Sequence, residues 1–134
     1  MIDFLFTSAL FGRVVANNAS VAGATGGCQA EVGSASAMAA AASVAIFNGT
    51  PEQSGHAMAL AISNLLGLVC DPVAGLVEIP CVMRNAIGSG NALISADLAL
   101  AGVESRIPVD EVIGAMDRVG RNLPASLRET GLGG

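Results

Sequence analysis

One long run of small residues constrains the fold of this chain more than any other feature. From Ala30 to Phe47 the residues are mostly Ala, Ser and Gly. Small side chains let neighbouring helices approach closely, so the run predicts a helix buried in the core of a tightly packed helical domain. A membrane span is disfavoured because Ala contributes little to insertion, because Glu31 lies at the start, and because no Lys or Arg bias flanks the run.

Capping and proline signals divide the chain into about five helices, and no strand pattern lies between them. Residues 50–53, Thr-Pro-Glu-Gln, have the form of a capping box with Pro at the first helical position. Pro108 opens the last helix in the same way. The expected helices cover residues 2–16, 29–47, 51–66, 81–101 and 108 to about 120. We therefore predict an all-α fold in which residues 1–134 form one compact domain with cysteine-bearing loops at helix N-termini.

Two of these helices have apolar residues at the spacing of one helix face. In the first helix the expected inner face consists of Phe4, Leu5, Ser8, Phe11, Gly12 and Val15. In the last helix it consists of Val109, Val112, Ile113 and Met116.

Three cysteines each stand where the sequence indicates that a helix is about to begin. Cys28 follows two glycines, Cys70 precedes an Asp-Pro pair, and Cys81 follows a proline. Thiols at helix N-termini feel the positive end of the helix dipole, so we expect them to ionise readily and to suit metal binding. Three thiolates could hold an iron–sulfur cluster or a zinc ion. The alternative is three small buried hydrophobes, and an odd count excludes a complete disulfide framework.

Charge and composition exclude several classes of function. The net charge is −5, all six basic residues are Arg, and Trp and Tyr are absent, which makes nucleic-acid binding a poor interpretation. Residues 2–16 carry Asp3 early and Arg13 late, so this run is not a signal peptide. Only 13% of residues are charged, which indicates that another domain or subunit covers part of the surface. We expect neither nucleic acid nor a membrane among the partners.

The most distinctive stretches of the chain are GGCQAEVGSASAMAAAA, GTPEQ and LGLVCDPVAGLVEIPCVMRNAI. They closely resemble the C-terminal part of the alpha (catalytic) region of bacterial iron–sulfur-dependent L-serine dehydratase, or L-serine ammonia-lyase. The resemblance runs from about Asn17 to the last residue, and it includes the intervals of 42 residues between Cys28 and Cys70 and 11 residues between Cys70 and Cys81. Three cysteines hold a 4Fe–4S cluster in that family, and the resemblance implies this role for Cys28, Cys70 and Cys81.

The resemblance implies a cytoplasmic lyase of amino-acid catabolism and gluconeogenesis that converts L-serine to pyruvate and ammonia. With three protein ligands, one iron of the cluster stays open and would act as a Lewis acid on the substrate hydroxyl. The other common route uses pyridoxal phosphate bound to a lysine, and this chain contains no Lys. We expect a 4Fe–4S cluster and no pyridoxal phosphate. The rival interpretation is a non-catalytic helical binding or structural module, metal-free or zinc-bearing.

The length of the chain is where it departs from the family. The family's catalytic region is considerably longer, and its upstream segment with Pro-Thr-Ala-Gly is missing here. Residues 129–134 look like the family's ETxxGGLA stretch interrupted midway. The resemblance therefore implies a fragment that is inactive alone, with the remainder of the alpha region and a beta region or subunit as partners. We also expect an oligomer.

Residues near the cysteines are the candidates for substrate binding. Arg84 lies one helical turn after Cys81 and could clamp the substrate carboxylate, with a salt bridge or helix packing as the alternative. Asn85 could hydrogen-bond to substrate or cluster sulfide, with capping or polar packing as the alternative. Glu31 is a weak candidate for the proton acceptor, because a buried structural carboxylate is the other interpretation.

The remaining polar candidates have weaker signals. Asp71 is expected to be an N-cap. His56, the only histidine, is expected to face solvent, although it could act as a general base or complete a Cys3His zinc site. Asn17, Asn18 and Ser20 could line the pocket. The general base itself is expected to come from the part of the enzyme that this sequence does not contain.

Overall fold

The computed structural model describes residues 1–133, and Gly134, the last residue of the interrupted ETxxGGLA stretch, lies outside the described residues. The helices are α1 (Ile2–Asn18), α2 (Gly23–Gly26), α3 (Ser34–Ile46), α4 (Pro51–Leu65), α5 (Cys81–Leu100) and α6 (Val109–Asn122). A π-helical turn, Gln29–Gly33, leads directly into α3, and 3₁₀ turns occupy Val73–Gly75 and Ala125–Leu127. The predicted all-α fold is confirmed. The short α2 lies between the helices expected over 2–16 and 29–47, and the second of these helices begins as a π-turn.

The alanine-rich helix α3 lies at the centre of the bundle and packs against α1, α4 and α5. Its residues Ala37, Ala40 and Ala41 are completely buried. Because these side chains end at Cβ, the neighbouring helices approach closely and bury larger residues of their own, including Met58 and Ile62 of α4. The prediction that this run forms a buried core helix is confirmed.

The predicted capping box fixes the start of α4. The Thr50 hydroxyl accepts a hydrogen bond from the Gln53 backbone N–H at 3.1 Å, and the Gln53 side chain accepts one from the Thr50 N–H at 2.9 Å. The Gln53 amide also donates to the Ala99 carbonyl at 3.1 Å. The cap therefore connects the N-terminus of α4 to the last turn of α5.

Helix α5 packs against the start of α3 through a glycine. A Cβ at Gly88 would lie 2.7 Å from Cγ1 of Val32, so no larger residue fits there without displacement. The Ser36 hydroxyl donates to the Gly88 carbonyl at 2.7 Å across the same contact. This close approach places the N-terminal half of α5 beside the π-turn.

The two helix faces that were predicted to be buried differ in how far the structure buries them. In α6, Val112, Ile113 and Met116 are buried as predicted. In α1 only Val15 is fully buried, and the prediction is wrong for Leu5, whose exposed fraction is 61%. Its apolar neighbours Ile2, Phe6 and Leu10 are exposed with it. Periodicity identifies an apolar face, but among the described residues no helix covers this one.

Within residues 1–133, no helix combines the length and the apolar content that crossing a membrane requires.

We predict that Ala41→Leu destabilises the fold by about 1–3 kcal/mol, because a fully buried position on α3 cannot accept extra methylenes without displacing its neighbours. Ala35→Leu is the matched control, since Ala35 lies on the same helix and is exposed. The measurement is the free energy of unfolding in urea. Equal effects at the two positions would contradict the assignment of α3 as the central helix.

Candidate functional site

The site begins at Cys28, which immediately precedes the π-helical turn Gln29–Gly33. The thiol is buried in an apolar cluster with Val32 and Cys70, against which Leu65 and Leu68 pack. The backbone N–H of Val32 lies close to the Cys28 sulfur and acts to lower the pKa of that thiol. Single turns of π-helix inside an α-helical run often occur at functional sites, because the extra residue redirects side chains locally.

Cys70 lies in extended backbone and not at a helix start. Its N–H donates to the Leu127 carbonyl at 3.0 Å, and its own carbonyl accepts from the Glu129 N–H. These bonds form an isolated parallel bridge between Cys70 and Arg128. The helical turn expected after Pro72 is present as the 3₁₀ turn Val73–Gly75, but its N-cap is Pro72 and not Asp71.

Cys81 is the first residue of α5, as predicted, and its side chain is half-buried. One turn later, Nη1 of Arg84 donates to the Val69 carbonyl, and the guanidinium lies near enough to the Cys28 thiol to lower its pKa. Arg84 therefore joins the N-terminal turn of α5 to both of the segments that carry the buried thiols. No local sequence pattern predicts these two contacts, since Val69 and Cys28 lie 15 and 56 residues away from Arg84 along the chain.

Two carboxylates lie beside the Cys70 thiol. Ligand atoms of Glu31, Cys70 and Glu129 all lie within 4.8 Å of one another, and the Cys70 thiol donates to Glu129 Oε1 at 3.4 Å. Both glutamates are exposed, so Glu31 is not the buried structural carboxylate of the alternative interpretation. The three thiols together do not form so compact a group within residues 1–133.

Gly23, the first residue of α2, forms the wall of this group. A Cβ on Gly23 would lie 2.5 Å from Glu129 Oε1, 2.6 Å from Glu31 Oε2 and 2.9 Å from Cys70 Sγ. Only glycine leaves space for the three ligand atoms to converge there. Sequence reasoning did not identify Gly23 or Glu129, because neither has a local signal and both reach the site through the tertiary fold.

The buried side chain of Gln29 holds the site together. Its amide donates to the carbonyls of Gly26 and Met116, both at 2.9 Å, and its Oε1 accepts from the Gly67 N–H at 2.9 Å. The Gln29 backbone N–H also donates to the Leu68 carbonyl at 2.9 Å. One fully satisfied polar side chain thus links α2, α6 and the segment before Cys70 to the residue next to Cys28.

The ionisation expected of the thiols is wrong for the two buried ones. Burial raises the pKa of the Cys28 thiol, and the hydrogen bond and charge of Arg84 lower it only in part. Burial also raises the pKa of Cys70 to about 12, with further contributions from the hydrogen bond to Glu129 and from the nearby Cys28 and Glu31. Desolvation outweighs the helix dipole here, because the thiolate would lie among apolar and acidic groups.

The other predicted residues lie at the edge of the site or away from it. Asn85 is exposed and donates to the Cys81 carbonyl at 2.9 Å, within its own helix. His56 Nδ1 accepts from the Ser105 N–H at 3.2 Å, and the cavities beside it are lined by none of the cysteines. Ser20 lines a separate cavity next to the ion pair of Asp117 and Arg121.

Asn18 donates to the Val14 carbonyl within α1, and no contact places Asn17 at the thiols. Asp71 is not an N-cap, because its carboxylate accepts hydrogen bonds from Gly131 and Gly133 near the C-terminus. The N-terminal loop therefore contributes to the site through Gly23 and not through its polar residues.

The donor set is compatible with an iron–sulfur cluster. Two thiols lie in one buried apolar cluster, the third is on the first residue of the helix whose next turn reaches the segment before Cys70, and thiolates are the ligands that iron–sulfur clusters require. A cluster is larger than a single ion, so its thiolate ligands stand farther apart than those of a mononuclear site.

These features define an all-α protein with a buried thiol site bordered by carboxylates and one guanidinium. Comparison with known proteins gives the family. The model of the family described as serine dehydratase alpha chain matches residues 1–134, and the chain belongs to this family.

Several curated relatives are similar over the full length of the chain. It is 69% identical over 134 residues to "Probable L-serine dehydratase, alpha chain" of Bacillus subtilis (strain 168), covering 100% of this chain and 45% of the relative. It is 71% identical over 133 residues to the protein of the same name from Latilactobacillus sakei, covering 99% and 64%. It is 46% identical over 134 residues to "L-serine dehydratase" of Mycobacterium tuberculosis (strain CDC 1551 / Oshkosh), covering 99% and 29%. The chain thus spans 45% and 64% of the first two relatives.

The raised pKa of Cys70 predicts that stability falls at alkaline pH. An unfolded thiol loses its proton near pH 9.0, whereas folded Cys70 keeps it to about 12. Below about pH 9 the raised pKa of Cys70 contributes its full share to the free energy of unfolding. This share is lost as the pH rises from about 9 to about 12, by up to about 1.4 kcal/mol per pH unit. Urea unfolding with a chelator present, from pH 8 to 11, should show a shallower decline for Cys70→Ser than for the wild type. Parallel curves would contradict the burial of this thiol.

Proposed function

We propose that this chain carries the cluster-binding part of an iron–sulfur-dependent L-serine dehydratase, in which Cys28, Cys70 and Cys81 hold a 4Fe–4S cluster. The observation that carries the proposal is the buried apolar cluster that Cys28 and Cys70 share, with α5 and its first residue Cys81 joined to the segment before Cys70 by Arg84. The relatives named L-serine dehydratase support serine as the substrate. The reaction is the dehydration and deamination of L-serine to pyruvate and ammonia.

Cys28, Cys70 and Cys81 would hold the 4Fe–4S cluster, which would supply Lewis-acid chemistry toward the substrate hydroxyl. The protein itself contributes apolar surroundings for one buried thiol and polar surroundings for the other. Val32, Leu65 and Leu68 exclude water from the Cys28 side, while the two exposed carboxylates leave the Cys70 side polar. We propose that the reaction does not use pyridoxal phosphate as a cofactor.

Arg84 is proposed to bind the substrate carboxylate. A guanidinium has five N–H donors, and the carbonyl of Val69 uses only part of them. Asn85 is proposed to hydrogen-bond to the substrate from the exposed side of the same helical turn. Glu31 is the candidate acceptor of the substrate's α-proton, because its carboxylate is exposed at the edge of the thiol site.

The proposed partners are L-serine, the remainder of the alpha region and a beta region or subunit, in an oligomeric enzyme of the cytoplasm that serves amino-acid catabolism and gluconeogenesis. The surface of α5 and of the segment before it supports further contacts, since it exposes a row of large apolar side chains. These are Leu76, Val77, Ile79, Val82, Met83, Ile87 and Ile94. We propose that residues 1–134 form one domain and that this domain alone is inactive.

A single-ion site is the second candidate. Glu31, Cys70 and Glu129 bring two oxygens and one sulfur within 4.8 Å of one another, which suits one divalent ion such as zinc. This arrangement favours a zinc-bearing structural module over a metal-free one. It differs from the cluster proposal in its ligands, because it does not use Cys28 or Cys81.

A chimera tests the enzymatic proposal. The 134 residues replace the matching part of the Bacillus subtilis relative, which is 69% identical throughout this region, and pyruvate formation from L-serine is measured anaerobically. We expect activity in the chimera and a loss of more than about 100-fold with Cys81→Ser, since even groups that only orient a metal ligand contribute about 10–100-fold.

Ser63→Ala is the control, because Ser63 is exposed on α4 and bonds only to the Ala59 carbonyl of its own helix. It should leave the rate unchanged. Full activity of Cys81→Ser would overturn the ligand assignment. An inactive chimera beside an active parent enzyme would overturn the proposed function.

A further inference from the structure

The C-terminal segment lies against the residue that follows the buried thiol Cys70. Asp71 is buried, and its Oδ1 accepts hydrogen bonds from the Gly131 N–H at 2.5 Å and from the Thr130 hydroxyl at 3.3 Å. Its Oδ2 accepts from the Gly133 N–H at 2.6 Å. Hydrogen bonds from backbone N–H groups to a carboxylate are stronger than those between neutral groups. The carboxylate of Asp71 therefore holds Thr130, Gly131 and Gly133 in place.

The same segment is paired with the backbone of Cys70. The Cys70 N–H and carbonyl bond to Leu127 and Glu129, on either side of the bridge to Arg128. Gly131, with φ of +72°, packs on the 3₁₀ turn, because a Cβ there would lie 3.0 Å from the Gly75 nitrogen. Residues 127–133 thus contact both Cys70 and the 3₁₀ turn that follows it.

The two buried thiols differ in what covers them. Glu129, from residues 127–133, lies over the Cys70 sulfur at 3.4 Å. Cys28 lies in the apolar cluster that it shares with Cys70 and Val32, against which the half-buried Leu65 and Leu68 pack, and none of residues 127–133 is among these. Movement of residues 127–133 would expose Cys70 and leave the surroundings of Cys28 in place.

We infer that residues 127–133 form a C-terminal cover over the Cys70 thiol, and that Asp71 is the positioning residue that holds this cover closed. Opening of the cover gives reagents and incoming metal access to Cys70 without unfolding the bundle. The inference concerns access to one thiol of the chain, so it stands or fails independently of the proposed reaction.

Site-resolved alkylation tests the cover. The 134-residue chain is treated with iodoacetamide in the presence of a chelator, and the modification of each cysteine is followed by mass spectrometry of its peptide. When the cover closes faster than the reagent reacts, the rate at Cys70 reports the population of the open form. Cys28 is the internal control for general opening.

Asp71→Asn weakens the cover, because the amide keeps one acceptor oxygen and turns an NH2 group toward backbone donors. We expect alkylation of Cys70 to rise about tenfold, the order expected for loss of a hydrogen bond to a charged group, and that of Cys28 to stay within about twofold of the wild type. Asp97→Asn is the matched control, since Asp97 is exposed on α5.

Gly131→Ala is a second variant that changes no charge and does not alter Asp71. Its φ of +72° and the contact with Gly75 both oppose a Cβ, so this variant should also displace the cover and raise Cys70 alkylation about tenfold. Gly102→Ala is its matched control, because Gly102 has φ of +89° and no atom within 4 Å of the added Cβ.

Selective alkylation of Cys70 in both variants supports the cover. Unchanged Cys70 rates in Gly131→Ala, or equal increases at Cys70 and Cys28, would overturn it, because the segment would then either shield nothing or be needed for the whole fold. If Asp71→Asn does not fold, the Gly131→Ala and Gly102→Ala pair decides the question alone.

Discussion

Close packing against the small side chains of α3 is the constraint on which the rest of the structure depends. Ala37, Ala40 and Ala41 let α1, α4 and α5 approach the same helix at once. The chain enters α3 directly from Cys28 and the π-turn, so the position of the helix also sets the position of the first thiol. The contact of Ser36 with Gly88 then brings the N-terminal half of α5 to the same place. The thiol site is a consequence of how the central helix is packed.

A single buried amide completes this arrangement. Gln29 connects the π-turn to α2, α6 and the segment that leads to Cys70, and all of its polar groups named above have partners. Buried polar networks that are fully satisfied favour one arrangement of the backbone, because every alternative leaves a donor or acceptor unpaired. The residue beside Cys28 thereby fixes segments that are 38 and 87 residues away. Rigid placement of this kind is what a metal centre needs from its ligands.

Much of the fold could be predicted from local sequence signals. The capping box of Thr50 and Gln53, the proline before α6 and the alanine run each depend on neighbours within a few residues, and each is confirmed. The exposure of Leu5 could not be predicted, because periodicity identifies a face without saying whether anything covers it.

The site was only partly predictable for the same reason. Motifs identified Cys28, Cys70 and Cys81, and the start of α5 at Cys81 follows from the proline before it. The carboxylate of Glu129 and the bonds of Asp71 come from a segment about 60 residues away, for which no local pattern exists. The pKa of Cys70 was predicted in the wrong direction, because burial is a property of the tertiary fold and the helix dipole is a local one.

The most direct test of the account is the metal content of the chain after anaerobic reconstitution with iron and sulfide. The account predicts about four irons per chain, and none when Cys28, Cys70 and Cys81 are all replaced by Ser. Absence of iron, or a single zinc retained when Cys28 and Cys81 alone are replaced, would contradict it. The second result would assign the metal to Glu31, Cys70 and Glu129.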